Sequence, residues 1–127
     1  MTNLPTDLKY ASTHEWVRLE IDNLVRLGIT DFAQQELGDL VFIELPELGR
    51  KLAAQEQCAV VESVKTASDL FSPVAGEVVA VNESVVDEPE LVNNDPYGTW
   101  LFCIKADDLS TLDDLMSAGE YQILIEE

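Results

Sequence analysis

The stretch that decides the fold is Val60–Phe71, which reads VVESVKTASDLF. Apolar and β-branched residues lead into a short polar apex, and an alternating run from Leu70 to Val74 leads away from it. This pattern predicts two strands joined by a tight reversal, with Lys65 at the tip. A single exposed lysine is ordinarily a solubilising surface charge. Here the small residues beside Lys65 leave room for another protein to close around the amine, which is compatible with a lysine presented for modification.

Size and composition predict one domain spanning residues 1–127. With 46% hydrophobic residues the chain can bury a core. The formal net charge of −18 opposes contact with nucleic-acid phosphates and anionic membranes, so neither is an expected partner. The same field would steer basic protein surfaces toward the chain, and it would equally keep a concentrated protein in solution.

The sequence shows no catalytic or metal-binding constellation. Cys58 and Cys103 lie in strand-like apolar runs at no metal or redox spacing, so we expect them to be small buried hydrophobes. A single histidine, His14, cannot alone build a metal site or a nucleophile–base pair. A Gly-rich phosphate loop is also missing. We therefore expect a protein that is not an enzyme.

The sequence also predicts where the protein works. No apolar run approaches membrane-spanning length, and the first residues show neither a signal-peptide core nor Arg-rich transit character. These features predict a soluble protein of a reducing compartment, the cytoplasm. A processed organellar form would instead work in the mitochondrial matrix.

Two strands and a short helix are predicted before the hairpin. Residues 15–21 alternate, and residues 24–29 return after an Asp-Asn turn. The alternation of the first strand places three apolar side chains on one half-buried face: Val17, Leu19 and Ile21. Thr30 is suited to cap a helix over Asp31–Leu37, which Gly38 can end.

An internal echo relates two of the predicted strands. Gly38–Ile43 matches Gly76–Val81 in residue type at every position. Each copy is followed by a loop interrupted by Pro and Gly, and then by another apolar strand. Joined through the Lys65 hairpin, two such units predict a mainly β sandwich with approximate two-fold symmetry.

The remaining segments are predicted to cover this sandwich. Asn82–Gly98 is long for a connection, and its Leu91 and Val92 should pack on a sheet. Beyond it, Ser110 can cap a helix whose apolar residues pack on the sandwich. We expect Gly119 to break this helix, leaving residues 121–125 as a last turn or a short helix.

The residues around Lys65 closely resemble the lipoylation segment of the H-protein family of the glycine cleavage system. Further segments agree with that family in order and spacing from about Leu8 to Tyr121. They include Thr13-His14-Glu15-Trp16, Gly28-Ile29-Thr30-Asp31, Ser72-Pro73-Val74-Ala75-Gly76-Glu77-Val78 and Asp95-Pro96-Tyr97-Gly98. Because these segments cover nearly the whole chain, the resemblance is highly specific.

The resemblance implies a lipoyl/biotinyl-type barrel-sandwich hybrid with a short N-terminal helix and a C-terminal helical segment. It also implies that (R)-lipoate is attached covalently to Lys65 through an amide. The implied attachment motif is Glu62, Ser63, Val64, Lys65, Thr66, Ala67, Ser68 and Asp69. In this family the loaded arm folds into a surface cleft, which maps here onto Thr13, Glu15 and Asp69. Without the resemblance, Glu15 and Asp69 would be interpreted as surface acids.

The implied function is that of a lipoyl carrier protein of the glycine cleavage system. Such a carrier moves the aminomethyl group of glycine from the PLP-dependent glycine decarboxylase (P protein) to the aminomethyltransferase (T protein). Dihydrolipoamide dehydrogenase (L protein) then reoxidises the carrier. Lipoate ligase, or octanoyltransferase with lipoyl synthase, would supply the group on Lys65.

Three departures from the family pattern concern the cleft rather than Lys65. Phe32 stands where relatives often carry histidine, Pro96–Trp100 is shorter than usual, and Cys103 replaces a commonly basic residue.

Other carrier types remain as alternatives. A biotinyl domain would flank its lysine with methionines, where this chain has Val64 and Thr66. A lipoyl domain of a 2-oxoacid dehydrogenase would show an Asp-Lys-Ala setting and a linker to a catalytic domain. An H-like lipoyl-relay protein, which donates lipoate to other enzymes, is similar in sequence and is the main alternative.

Overall fold

Alternating and β-branched residues form nine strands in residues 4–126, the part of the chain that the computed structural model describes. The strands are β1 (Lys9–Tyr10), β2 (Glu15–Leu19), β3 (Leu24–Ile29), β4 (Leu40–Glu44), β5 (Lys51–Leu52), β6 (Gln57–Ser63), β7 (Ala67–Phe71), β8 (Gly76–Val81) and β9 (Phe102–Ala106). The α-helices are α1 (Asp31–Leu37), α2 (Ser84–Asp87), α3 (Glu90–Asn94) and α4 (Ala118–Ile125), and 3-10 turns span Ile21–Asn23 and Leu109–Asp114. None of these helices is long and apolar enough to cross a membrane.

The strands form two antiparallel sheets around one core. The larger sheet has the order β1-β2-β3-β9-β8-β5, and the smaller has the order β4-β6-β7. Buried side chains from both sheets meet in a single cluster, which includes Val25, Leu27, Ile43, Val61, Val78 and Ile104. The predicted mainly β sandwich is therefore confirmed, and β6 and β7 form the predicted hairpin around Lys65.

The internal echo corresponds to strands in opposite sheets. β4 pairs with β6 in the smaller sheet, whereas β8 pairs with β9 in the larger one. Each strand carries an extra residue at the same position of the echo, Val41 in β4 and Val79 in β8. Both valines are exposed, at 55% and 42%. The two copies thus share a β-bulge as well as a sequence pattern.

The helix α1 has the predicted bounds because both of its ends are capped as the sequence indicates. Thr30 Oγ1 accepts from the Ala33 amide at 3.1 Å. Gly38 ends the helix at φ +86°, a left-handed conformation that favours glycine. The connection after β8 contains α2 and α3, and Val85 and Val92 are fully buried. Its predicted covering role is confirmed.

The predicted burial of the first strand is partly wrong. Val17 is buried, but Leu19 is 53% exposed and Ile21 lies in a 3-10 turn at 80% exposed. Trp16, on the opposite face, is fully buried beside Tyr10 and Tyr121. This second cluster exists because Tyr121 of α4 and Tyr97, which follows α3, pack on that face of the larger sheet. Alternation within one strand does not reveal such a cover.

The predicted C-terminal helix is also placed wrongly. Residues Leu109–Asp114 form a 3-10 turn in which Asp108, not Ser110, supplies the capping side chain. The α-helix starts after Ser117, whose hydroxyl accepts from the Glu120 amide while the Glu120 carboxylate accepts from the Ser117 amide. This capping box stabilises the start of α4. Gly119 therefore lies inside the first turn of the helix and does not break the helix.

Candidate functional site

Lys65 projects from a hairpin that is closed by its own hydrogen bonds. The strands pair up to Glu62 opposite Ala67, and the Ser63 amide donates to the Thr66 carbonyl at 2.7 Å. The Ser63 hydroxyl oxygen accepts from the amides of Lys65 and Thr66, each at 3.1 Å. These local bonds satisfy the turn donors and stabilise the turn.

The root of the Lys65 side chain lies beside the end of α1. The Val64 amide donates to the Asp39 carbonyl at 3.1 Å, which ties the hairpin to the segment that follows the helix. A Cβ at Gly38 would lie 3.5 Å from Lys65 Cε, so the lysine stem passes close to this glycine. Lys65, Val64 and Thr66 are all exposed. The amine is therefore accessible to a modifying enzyme while its stem lies against the protein.

A cleft of about 200 Å³ opens between α1 and the strands of the hairpin. It is lined by Thr13, His14, Ile29, Phe32, Ala33, Glu36, Leu37, Val61, Ser68 and Leu70. Of the residues that the sequence assigns to the site, Thr13 and Ser68 line this cleft. Asp69 is exposed on the hairpin but does not line the cleft, and neither does Glu15. The structure thus brings only part of the predicted set to one cavity.

Glu15 is fully buried behind Thr13. Its Oε1 accepts from the Thr13 hydroxyl, and its Oε2 accepts from the Phe71 amide at 3.1 Å. The bond from the Phe71 amide links β2 of the larger sheet to β7 of the smaller one. Burial raises the pKa of Glu15 to about 7, although the hydrogen bonds act in the opposite direction. The interpretation of Glu15 as a surface acid is therefore wrong.

His14 forms one wall of the cleft and connects it to α4. Its Nδ1 lies 2.7 Å from the Tyr121 hydroxyl, which in turn lies 2.8 Å from Thr30 Oγ1. The imidazole also packs on Phe32, with ring centroids 5.1 Å apart. Burial lowers the pKa of His14, and the charge of Glu36 opposes this effect. Burial thus favours the uncharged imidazole, which with Phe32 presents ring surfaces to the cleft.

Glu36 is the acid of the cleft that sequence reasoning missed. It lies four residues after Phe32 on α1, and this spacing places both side chains on one helix face. Among the described residues that line the cleft, Glu36 is the only acid, and it is exposed. The spacing from Phe32 was the signal that could have found it. Glu36 gives the cleft its accessible negative charge.

The cysteines lie outside this site. Cys58 and Cys103 are both buried and free, as the sequence predicts. Burial raises the pKa of the Cys58 thiol to about 12, so that thiol stays protonated and unreactive. In residues 4–126, no group of three or more His, Cys, Asp and Glu side chains could hold a metal ion.

A model of the glycine cleavage H-protein family matches residues 8–127, which include the Lys65 hairpin and the cleft. The chain belongs to this family. The resemblance found in the sequence is thereby confirmed. The family is that of a lipoyl carrier in the glycine cleavage system, not of a catalytic enzyme, and the system implies P, T and L proteins as partners.

Individual relatives agree with this H-protein assignment over their full length. The chain is 59% identical to the glycine cleavage system H protein of Idiomarina loihiensis, covering 100% of the chain and 99% of the relative. It is 55% identical to that of Methylococcus capsulatus, covering both proteins completely. It superposes on a crystal structure of a glycine cleavage system H protein from Mycobacterium marinum with a TM-score of 0.90. That pair shares 40% identity over 98% of this chain and 100% of the other, so the predicted barrel-sandwich fold is confirmed.

Proposed function

We propose that Lys65 carries (R)-lipoate in an amide bond, and that the chain works through this arm as the H protein of its glycine cleavage system. The observation that carries the proposal is the hairpin, which presents an exposed lysine beside a cleft. Through a group held on Lys65, the chain would receive the aminomethyl group of glycine from the P protein and pass it to the T protein. The L protein then reoxidises the carrier.

The residues around Lys65 fit a lipoyl group. Ser63 and Ala67 are small, so they leave space for the enzyme that attaches it. Acylation removes one positive charge, which changes the formal net charge from −18 to −19 and leaves a neutral amide at the tip. Apolar side chains of the cleft, including Ile29 and Leu70, suit a hydrocarbon arm.

The protein contributes presentation and shielding, and the chemistry belongs to the bound group. A dithiolane ring supplies a disulfide that opens readily, because the small ring cannot reach the torsion of about 90° that an unstrained disulfide adopts. Phe32 and Leu70, which line the cleft, would shield a bound arm from water. Thr13 offers a hydroxyl and Glu36 a carboxylate to the cationic amine of the cargo.

The family resemblance assigns Glu15 and Asp69 to the arm-resting site. We retain both residues in that site, but with roles other than lining the cleft. Glu15 orients Thr13 from behind through the hydrogen bond between their side chains. Asp69, exposed on β7, attracts the amine before it enters the cleft. Thr13 makes the direct contact of these three residues.

We also propose which enzymes attach the group to the apoprotein. Lipoate ligase, or octanoyltransferase followed by lipoyl synthase, would close around the tip formed by Val64, Lys65 and Thr66. Since the relatives named above come from bacteria, we place this modification and the carrier cycle in the cytoplasm.

Mass spectrometry tests the attachment. After co-expression with lipoate ligase and lipoate, the intact chain should gain one lipoyl group, and peptide mapping should place it on Lys65. Lys65→Arg should abolish this mass increase. Lys105→Arg, on the interior strand β9 of the larger sheet, should not. Modification of a different lysine, or none with a ligase that is active on a known acceptor, would contradict the proposal.

A second assay separates the carrier from the relay alternative. With glycine decarboxylase, the lipoylated chain should support exchange between glycine and labelled bicarbonate. If no exchange is detected, and the chain transfers lipoate to a dehydrogenase subunit, the lipoyl-relay function would be favoured instead.

A further inference from the structure

An exposed apolar groove of about 430 Å³ runs along β4, on the side of the smaller sheet away from the cleft strand β7. We call it the Phe42 groove. Its apolar lining includes Phe42, Leu48 and Val86, which are 44%, 63% and 46% exposed. Val86 faces outward because its neighbour Val85 is fully buried and anchors α2. Several exposed apolar side chains gathered in one groove are typical of an interaction site.

The charge around the Phe42 groove specifies what could bind there. Three acids line it, Glu44, Glu47 and Glu83, and all three are exposed. No Lys or Arg of the described chain lines the groove. A second copy of this chain, with the same net charge of −18, would be repelled. The complementary surface is therefore apolar at its centre and basic at its rim.

The groove also lies close to the arm. Phe42 on β4 pairs with Glu62 on β6, three residues before Lys65. At the rise of an extended strand, Phe42 is about 10 Å along the sheet from the tip. A protein seated in the groove would therefore have the root of the arm at its border.

We infer that the Phe42 groove is a docking surface for an enzyme that uses the arm, and that this enzyme inserts an apolar side chain flanked by Lys or Arg. The inference rests on the proposed carrier function. The apolar contact holds the enzyme beside Lys65, while the acids steer its approach. The arm is then free to enter the enzyme's active site, because the groove and the tip are separate surfaces.

Enzyme kinetics with the lipoylated chain as substrate test the apolar contact. The double variant Phe42→Ser/Leu48→Ser should raise the KM for the carrier about tenfold or more with at least one of the P, T and L proteins, with kcat unchanged. The matched control is Ile21→Ser, which removes an apolar side chain that is 80% exposed and lies outside the groove, between β2 and β3 of the larger sheet. It should leave KM unchanged. Unchanged thermal unfolding would show that both variants are folded.

Charge reversal tests the acidic rim. Glu44→Lys/Glu47→Lys should raise the same KM and weaken its dependence on salt, because two steering charges are lost and reversed. Asp113→Lys/Asp114→Lys makes the same change in net charge at two exposed acids outside the groove, and it should have the smaller effect of net charge alone.

The possible results distinguish failure of the docking surface from failure of the carrier function. Groove variants with wild-type KM for all three enzymes would overturn the docking surface while leaving the carrier function intact. A wild-type lipoylated chain that none of the enzymes accepts would overturn the carrier function itself, and the docking surface with it. Dimers of the wild-type chain in sedimentation, dissolved by Phe42→Ser, would show that a second copy occupies the groove and would also overturn the inference.

Discussion

Glu15 shows how one carboxyl can serve both the fold and the site. It joins the two sheets through the Phe71 amide, and it holds the Thr13 hydroxyl at the cleft. Full burial disfavours its charged form, whereas its hydrogen bonds favour that form. The net result is a carboxyl that changes its protonation state near neutral pH.

Glu15→Gln should flatten part of the pH dependence of stability. The folded-state pKa of about 7 lies above the ordinary value of 4.5, so the folded protein holds this proton more tightly than the unfolded chain. The stabilising contribution is fully present below pH 4.5 and is lost as the pH rises through 7. The loss is at most about 3 kcal/mol.

Urea unfolding across this pH range measures the difference between the wild type and Glu15→Gln. The wild type should lose stability relative to the variant as pH rises, since the amide cannot ionise. Glu83→Gln, which alters an exposed acid, controls for the general effect of one charge. Parallel curves for Glu15→Gln and the wild type would show that Glu15 does not titrate in this range.

Glu36→Gln should shorten the lifetime of the cargo on the lipoylated carrier. The exposed carboxylate attracts the cationic amine into the cleft, and an exposed ion pair is worth up to about 1 kcal/mol. Ammonia release in the absence of T protein should therefore accelerate by up to about fivefold, as measured by a coupled ammonia assay. Glu90→Gln, an exposed acid on α3, should not change the rate. Equal rates for Glu36→Gln and wild type would remove Glu36 from the arm site.

These residues also mark how far sequence reasoning reaches. Lys65 could be found because its motif is contiguous. The burial of Glu15 could not, because its partner Phe71 is 56 residues away in the chain. Glu36 could have been found from its spacing to Phe32, but only once the cleft was known to lie against that face of α1.

The bounds of a helix could be predicted where the residues that begin and end it are adjacent to it in the sequence. The helix α1 has its predicted bounds since the Thr30 cap and Gly38 are adjacent to it. The start of α4 was missed because Gly119 was given more weight than the capping box of Ser117 and Glu120. Both signals were in the sequence. The capping box satisfies the first amides of α4, so the helix forms with Gly119 in its first turn.

The bulges of β4 and β8 changed the surface in a way that alternation could not predict. An extra residue shifts the register by one, so that Val41 and Phe42 are both exposed next to the buried Ile43. The Phe42 groove depends on this shift. In β8 the equivalent bulge exposes Val79, which shows that the irregularity belongs to the repeated unit and not to one site.

At the scale of the whole molecule, unbalanced charge dominates the surface. The chain has 25 acidic and 7 basic residues. Residues 4–126 contain two ion pairs, Arg50 with Glu56 at 3.0 Å and Lys51 with Glu77 at 3.6 Å. Both pairs are accessible to solvent and contribute little. Most carboxylates therefore repel one another across the folded surface, and folding brings them closer together than in the unfolded chain.

Salt should therefore stabilise this protein. Raising the ionic strength from about 0.01 M to about 0.1 M shortens the screening distance from about 30 Å to about 10 Å, which weakens the repulsion. We expect Tm to rise by about 2 to 5 °C in calorimetry. Asp113→Asn/Asp114→Asn, which removes two adjacent exposed acids, should raise Tm at low salt and reduce the salt response. Sucrose at equal osmolarity controls for effects other than screening. A Tm that stays constant or falls with salt would mean that hydration of the carboxylates, rather than their mutual repulsion, sets the stability of the folded surface.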